Sequence, residues 1–304
     1  MTLDIINRTM FSVDVLPSVD RIGATIDVGL HYIMRYIQSP IRVPDHWPTP
    51  AKRKFDAAKA TLDEFLYGII AKRRASQGQA HGDLLDMLLV ARDQDTGEGM
   101  NDEQVRNEVA SIYGAGHETT ALALTWTWLA LNQNPAVLRT LQAEVDAVLQ
   151  GRTPTMADLP HLPYTLQVFE ESMRLYPPVP FTGRVAVQAT TLGGFAIPKG
   201  AFVNIAINNI HRHPDFWADP EAFQPERFAP EHKTNLNRNV YIPFLTGPHL
   251  CIGNNFALME GQLLLAQMVQ RYDVQVVPDQ HIVKEVAITM RPKDGLQVMF
   301  QPRS

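Results

Sequence analysis

The sequence contains one cysteine, Cys251, and its surroundings favour a thiolate that binds a metal. Cys251 lies in the segment FLTGPHLCIG, residues 244–253, directly before a predicted helix whose N-terminal dipole and free amides stabilise a thiolate. Gly247 and Gly253 allow a tight backbone around the sulfur, and Phe244 is placed to shield it from water. A thiolate held in this way is anionic, rigid and dry, which are the properties of a haem iron ligand.

Two other roles for Cys251 stay open. A lone buried cysteine is most often an inert, small apolar residue. A cysteine can also act as a covalent nucleophile, but it then needs a histidine base, and His249 is not obviously placed for that task. Two further histidines, His211 and His213, have no third ligand at metal spacing, so they are interpreted as structural or solvent-facing.

The segment AGHETT, residues 115–120, holds a second set of residues that could do chemistry. Gly116 follows another glycine after two residues, and each glycine inside a helix costs about 1 kcal/mol relative to alanine, so the pair needs a reason. Close packing against another helix, with the threonines bonded back to carbonyls, is the structural explanation and the one this segment alone favours. In the functional explanation the missing side chain makes room for a flat ligand beside Ala115 and Thr119, and Glu118 with the Thr119 hydroxyl relays protons.

Charged residues three apart occur in EESMR, where Glu171 and Arg174 can pair across one turn of a helix. On a protein surface such an ion pair contributes little to stability and does not indicate a function. Arg227, in the later segment PERF, could complete a buried charge network in a proline-rich region. Networks of this kind usually have a structural role.

The elements that must position these residues are helical up to about residue 150 and mixed afterwards. Eleven of the 22 prolines fall between residues 153 and 230, so this stretch must consist of short elements and irregular chain. Periodicity and capping residues predict helices at 49–74, from 83 onward, at 101–132, 163–175 and 255–272, and a helical pattern in the opening segment 3–15. Strand-like runs are predicted at 184–192, at 202–207 and in the tail, with turns at 198–200 and 293–295.

Composition limits the classes of protein to consider. The chain has 304 residues, of which 45% are hydrophobic and 19% charged, as in a globular protein of one large or two ordinary domains. The formal net charge of −5 argues against nucleic acid or an anionic membrane as a partner. A single cysteine excludes an intrachain disulfide and a cysteine-rich zinc site, and it fits a reducing compartment. Without a signal peptide or an apolar run of about 18 residues, the chain is expected to be cytoplasmic, with no membrane span.

The segments AGHETT, EESMR, PERF and FLTGPHLCIG follow one another at spacings that resemble the cytochrome P-450 family of haem-thiolate monooxygenases. The resemblance covers the chain from about residue 1 to its end. It implies a mainly α fold with small β-sheets, hence an α+β fold, and a single haem-binding domain over 1–304. The helical part would extend to about 150, and a mixed, proline-rich part with the haem-ligand loop would occupy about 151–304. The implied cofactor is haem b, iron protoporphyrin IX.

The resemblance also implies a role for individual residues. Cys251 resembles the axial ligand of the haem iron. Thr119 and Glu118 resemble the oxygen-activation pair of the family. Gly116 resembles the residue at which the long helix opens over the iron. Arg184, in FTGRVA, resembles a propionate-binding arginine. The residues implied to contact the cofactor are Ala115, Gly116, Arg184, Phe244, His249 and Gly253. The implied structural charge triad is Glu171, Arg174 and Arg227, and the residues implied to line a substrate pocket are Phe181, Thr182 and Ile288.

Two features depart from the family pattern. His249 stands where the family usually has an arginine, two residues before the ligand, although an imidazole can still donate to a propionate. Usual members also have a further N-terminal portion with the first helices and two strands of the main sheet, and nothing here corresponds to it. We therefore expect an N-terminally incomplete domain that begins near the fifth helix of the family.

The leading hypothesis for function is a monooxygenase that inserts one oxygen atom of O2 into a small apolar organic substrate. Electrons would come from NAD(P)H through a separate reductase or ferredoxin, because no flavin or nicotinamide motif is present. One alternative is a truncated, non-catalytic product that misfolds or binds haem without turnover. Another is a haem-thiolate isomerase or peroxygenase, which needs no electron partner.

Overall fold

The computed structural model describes residues 1–14, 19–39, 43–44, 46–76 and 80–303. The chain divides into two compact units, Met1–Glu118 and Thr119–Ser304. Among the helices within the described ranges, none is both long and apolar enough to span a membrane.

The first unit is built from helices. In its described part these are α1 (Thr2–Met10), α2 (Val19–Gln38), α3 (Pro50–Ala75), α4 (Leu84–Val90) and the first half of α5 (Asp102–Gln133), which continues into the second unit. Hydrogen bonds between strands are limited, in the same part of the chain, to one isolated bridge between Arg92 and Gly99.

The second unit combines helices with small antiparallel sheets. Its further helices, in the part that the structure describes, are α6 (Pro135–Leu149), α7 (Pro163–Leu175), α8 (Ile207–Ile210), α9 (Pro230–Lys233) and α10 (Asn254–Arg271). The strands are β1 (Thr182–Val185), β2 (Thr190–Leu192), β3 (Phe195–Ile197), β4 (Phe202–Ile205), β5 (Tyr272–Val276), β6 (Lys284–Val286), β7 (Met290–Pro292) and β8 (Val298–Pro302). They form two-stranded sheets that pair β1 with β4, β2 with β3, β5 with β8 and β6 with β7. The predicted α+β fold with small sheets is confirmed.

Side-chain caps begin three helices at the residues that the sequence indicates. At α3 the Thr49 hydroxyl accepts a hydrogen bond from the Lys52 amide at 3.1 Å, and at α4 the Asp83 carboxylate accepts one from an amide of the first turn at 3.0 Å. At α5, Asn101 and Gln104 exchange side-chain to backbone hydrogen bonds of 2.9 Å each. These bonds satisfy amides that have no partner inside the helix. The predicted helices at 49–74, 101–132, 163–175 and 255–272 are confirmed to within a residue at each end.

A shielded charge cluster joins three helices of the first unit. Arg73, in the last turn of α3, donates to Asp83 at 2.6 and 2.7 Å, to Asp86 at 2.5 Å and to the Phe11 carbonyl at 2.8 Å. Burial would raise the pKa of Asp83, but hydrogen bonds from Arg73 and Ser12 outweigh it and lower that pKa to about 2. The cluster therefore fixes the end of α1 and the end of α3 to the start of α4.

The core of the second unit lies where α6, α7 and α10 pack with the second half of α5. Leu131, Leu141 and Leu265 are fully buried there and belong to one apolar cluster. Gly261, on α10, lies so close to the Phe169 ring of α7 that an added Cβ would collide with the ring. The glycine thus permits the close approach of these two helices.

The structure corrects the predicted extents of three segments. The predicted strand 184–192 is interrupted, because β1 ends at Val185 and pairs with β4, whereas 190–192 form β2 and pair with β3. The predicted strand 202–207 ends at Ile205, and Ile207 already begins α8. The opening helical pattern of 3–15 ends at Met10, because Ser12 adopts a left-handed φ of +51°. The predicted turns at 198–200 and 293–295 are confirmed by positive φ values at their glycines.

Candidate functional site

Cys251 lies in a tight loop directly before α10. Its amide donates to the Phe244 carbonyl at 2.9 Å, which closes the loop. Leu245 and Gly247 have φ values of +61° and +65°, so the chain turns sharply twice within three residues. Gly253 is the N-cap of α10. The loop therefore presents the cysteine at the start of a long helix.

The thiol of Cys251 is exposed on the protein surface, which excludes the interpretation as an inert core residue. Its two neighbours are apolar and also exposed, Leu250 to 54% and Ile252 to 97%. The expected shielding by Phe244 is not complete in the protein alone. A Cβ built at Gly253 would lie 3.9 Å from the sulfur, an ordinary contact. A thiol surrounded by exposed apolar side chains is suited to a large apolar ligand.

The predicted propionate-binding residues, Arg184 and His249, are both exposed. Arg184 lies on β1, where its guanidinium donates to the Thr182 hydroxyl at 3.2 Å and to the Gly183 carbonyl at 2.8 Å. His249 ends a short 3₁₀ turn, two residues before Cys251. Both side chains can therefore donate to an anionic group brought to this surface.

The segment AGHETT lies in the middle of α5, and the boundary between the two units falls between Glu118 and Thr119. Ala115 is exposed, whereas Gly116, Glu118 and Thr119 are half-buried. A Cβ at Gly116 would lie 2.7 Å from the terminal methyl of Ile6 in α1. Close helix packing thus accounts for this glycine, as the structural alternative expects.

The structure brings the three predicted charges of the triad together. Glu171 and Arg174 are fully buried and form two parallel hydrogen bonds, Nε to Oε2 at 2.7 Å and Nη2 to Oε1 at 2.9 Å. The Nε atom of Arg227 lies 3.4 Å from Glu171 Oε1, and its Nη2 atom donates to the Asp219 carbonyl at 2.9 Å. The Gln224 amide also donates to Oε1 at 2.8 Å. This arrangement ties α7 to the proline-rich region around the PERF segment.

Two buried polar residues lie outside the set that sequence reasoning selected for chemistry. His211 is fully buried, its Nε2 atom accepts from the Ile242 amide at 2.9 Å, and burial lowers its pKa to about 3, so the ring is neutral. It lies at the end of α8. Glu260 is a buried carboxyl on α10. The sequence carried one signal for Glu260, a lone acid within the apolar run of that helix.

The sequence profile described as Cytochrome P-450 matches residues 1–300. The chain belongs to the cytochrome P-450 family. The cofactor of this family is haem b, and the expected P-450 resemblance is thereby confirmed.

Relatives of this P-450 chain are found among curated sequences and solved structures. Cyclooctatin synthase of Streptomyces melanosporofaciens is 35% identical, across 100% of this chain and 66% of its own length. Cyclooctat-9-en-7-ol 5-monooxygenase of the same organism is 37% identical, across 89% of this chain and 59% of its own. The crystal structure of the cytochrome P-450DA heme domain superposes with a TM-score of 0.89 at 31% identity, across 100% of this chain and 66% of that one. The chain thus spans about 59 to 66% of the length of these relatives.

The residues around Cys251 fit a haem. Because the porphyrin itself binds the iron, a haem would require only one thiolate ligand from the protein, and Cys251 would provide it. Within the described residues, no three His, Cys, Asp or Glu side chains come together as a metal site. This donor set, a single thiol flanked by the apolar Leu250 and Ile252, matches a haem and does not match a metal held by side chains alone.

The predicted substrate-lining residues lie in one part of the second unit. Phe181 and Thr182 are half-buried at the start of β1, and Ile288 is half-buried just before β7. The Met290 amide donates to the Pro178 carbonyl at 2.8 Å. This bond joins the segment that precedes Phe181 to the segment that follows Ile288.

Proposed function

We propose that this chain carries the cofactor-binding part of a haem-thiolate monooxygenase that inserts one oxygen atom of O2 into a small apolar organic substrate. The observation that carries the proposal is the exposed Cys251 thiol at the start of α10, flanked by apolar side chains, in a chain of the cytochrome P-450 family. The 5-monooxygenase among its relatives supports the same reaction type.

Cys251, at the start of α10, would hold the haem as its thiolate ligand. Arg184 and His249 would bind the propionates, since both are exposed donors. Phe244 and Gly253 would keep the ligand loop closed around the sulfur. When bound, the haem supplies the oxidising chemistry, and thiolate donation favours cleavage of the O–O bond.

Thr119 and Glu118 would supply the protons that the reaction consumes. The Thr119 hydroxyl would hold a proton on its Oγ atom, and the neighbouring Glu118 carboxyl would replace that proton once it is donated. Ala115, one turn earlier on the same face of α5, has only a methyl group, which leaves room for a flat ligand. Both protons are needed for the second oxygen atom to leave as water.

The substrate would contact Phe181, Thr182 and Ile288, which present mainly apolar surface. Cyclooctat-9-en-7-ol is a reasonable first compound to test, because one relative is named for acting on it. Electrons would come from NAD(P)H through a separate reductase or ferredoxin. A free cysteine without a disulfide partner supports a reducing compartment, the cytoplasm.

The test is turnover with isotopically labelled O2, an NADPH-dependent reductase system and a panel of apolar compounds. We expect one labelled oxygen atom in the product. Thr119→Ala should lower product formed per NADPH by roughly a hundredfold, the usual contribution of a positioned proton donor. Thr125→Ala is the matched control, because the Thr125 hydroxyl only bonds back to the Ala121 carbonyl of the same helix at 2.8 Å. Product without label would contradict the proposal.

A further inference from the structure

A cavity in the first unit is lined by the helices α2, α3 and α5. Its volume is about 270 Å³, and its walls are mostly apolar, with Ile26 and Leu30 from α2 and Phe55 and Leu62 from α3. An engineered cavity of about 150 Å³ with similar apolar walls binds benzene. The cavity therefore has room for a compact apolar molecule larger than benzene. None of its lining residues belongs to the set proposed above to bind haem or substrate.

Two glycines keep this cavity open. Gly29 in α2 and Gly114 in α5 both line it, and a Cβ at either position would meet nothing within 4 Å beyond its own stretch of helix. Gly116 differs, because a Cβ there would collide with Ile6. A glycine inside a helix is less favourable than alanine, and close helix packing does not explain Gly29 or Gly114. Both glycines instead leave space that a larger side chain would occupy.

The charged residues that line the cavity are both cations, Lys59 on α3 and Arg106 on α5. Within the described part of the chain, they form ion pairs with the same carboxylate, Asp63. Lys59 Nζ lies 2.7 Å from Asp63 Oδ2, and Arg106 Nε donates to Asp63 Oδ1 at 2.6 Å. Two cations that share one carboxylate leave one positive charge beside an apolar cavity without a counter-ion. A carboxylate on the ligand would neutralise that charge.

Arg106 retains donors for such a ligand. Of its five N–H groups, Nε and one on Nη2 donate to Asp63, and one on Nη1 donates to Asn107. In the described part of the chain this leaves one N–H group on each terminal nitrogen. These groups can donate to a second carboxylate while the ion pair with Asp63 stays in place.

We propose that this cavity binds a compact apolar carboxylic acid, with the apolar body beside Gly29 and Gly114 and the carboxylate at Lys59 and Arg106. The proposed site uses no haem, so the inference goes beyond the proposed monooxygenase function and does not rest on it. Binding is non-covalent, and no bond in the ligand or the protein is broken.

The first test is isothermal titration calorimetry of adamantane-1-carboxylate with the full chain, before and after haem loading. The matched ligand is adamantane-1-carboxamide, which has the same apolar body and no charge. We expect saturable binding of the acid in both states, about tenfold tighter than binding of the amide, because a charge-assisted hydrogen bond is stronger than a neutral one. No saturable binding of the acid, or equal affinity for acid and amide, would overturn the proposal.

The location is tested by Gly29→Leu and Gly114→Leu, since each adds a side chain that fills the cavity. Both should weaken binding of the acid by at least about tenfold, because a filled site tolerates further atoms poorly. Gly68→Leu is the matched control, because Gly68 also has open space around it but does not line the cavity. Circular dichroism shows whether each variant is folded. Unchanged affinity in both folded cavity variants would place the acid elsewhere and refute the site.

The charge is tested by Lys59→Gln, which carries little risk to the fold because the Lys59 side chain is 53% exposed. Arg106 and Asp63 then form a neutral pair, so the preference for the acid over the amide should largely disappear. Lys52→Gln is the control, because Lys52 also pairs with an acid four residues later, Asp56, and does not line the cavity. An undiminished preference in Lys59→Gln would contradict the proposal. A chain that binds the acid but forms no labelled product would overturn the proposed function alone and support this site.

Discussion

Removal of the Arg174 guanidinium should destabilise the second unit more than any exposed charge does. Arg174 donates two hydrogen bonds to Glu171 and three to the carbonyls of His211, Pro220 and Ala222, at 2.7 to 3.0 Å. Arg174→Ala removes the donor of the three carbonyls and leaves Glu171 buried with only the Gln224 amide at 2.8 Å and the longer contact to Arg227 at 3.4 Å. Breaking one side of a buried ion pair costs about 3 to 5 kcal/mol. For a chain of this size the melting temperature should fall by roughly 10 °C.

The loss of stability in Arg174→Ala should also depend on pH, and the protonation of Glu171 determines the direction of this dependence. Burial raises the pKa of Glu171, and Arg174 is the main group that opposes this rise. In Arg174→Ala the folded pKa therefore lies above the unfolded value, so stability is retained at low pH and lost as pH rises. The slope is up to about 1.4 kcal/mol per pH unit for one proton.

Urea unfolding of wild type, Arg174→Ala and the double variant Arg174→Ala with Glu171→Gln, at pH 5 and pH 8, measures both effects. We expect Glu171→Gln to rescue Arg174→Ala at pH 8 and to have little effect at pH 5. Glu221→Gln is the control, because Glu221 is 74% exposed and its ion pair with Arg212 at 3.2 Å contributes at most about 1 kcal/mol. A pH-independent loss, or a loss no greater than that of Glu221→Gln, would refute the reasoning.

Three further outcomes concern the stability of the fold. Arg73→Met should cost about 3 kcal/mol and loosen the first unit, as measured by limited proteolysis. In wild type the pKa of Asp83 is lowered to about 2 in the folded state, against 3.8 in the unfolded state. Asp83 therefore contributes to the free energy of unfolding above pH 3.8, and this contribution is lost as the pH falls toward 2. Unfolding curves at pH 5 and pH 2.5 check this sign. Gly261→Ala should lower the free energy of unfolding by about 1 to 3 kcal/mol through its collision with Phe169. Gly68→Ala, where nothing lies within 4 Å, should instead raise it by up to about 1 kcal/mol, and equal effects at both glycines would contradict the packing argument.

Helix positions were predictable because their determinants are local. Thr49, Asp83 and Asn101 cap helices through side chains only three residues from the amides they satisfy. Cys251 was placed at a helix start for the same reason. Strand extents were not predictable in this way, because β1 finds its partner β4 beyond an intervening hairpin of β2 and β3, and that choice depends on residues distant in sequence.

The candidate site was predictable only in part. Glu171, Arg174 and Arg227 could be grouped because a buried acid needs cations, and the structure brings them together. The burial of Glu260 depends on how α10 packs on α6 and α7, which no local pattern encodes. Ser12 is a similar case, since one left-handed residue ended a helical pattern that the periodicity would have continued.

The central claim is that Cys251 holds a haem iron as a thiolate, and the most direct measurement is the absorption spectrum of the reduced, carbon monoxide-treated, haem-loaded chain. Wild type should show the red-shifted Soret band of a thiolate-ligated haem. Cys251→Ser should lose that band while any haem it retains absorbs at the position of a neutral ligand. Bound haem without the red-shifted band in wild type, or the same band in Cys251→Ser, would contradict the account.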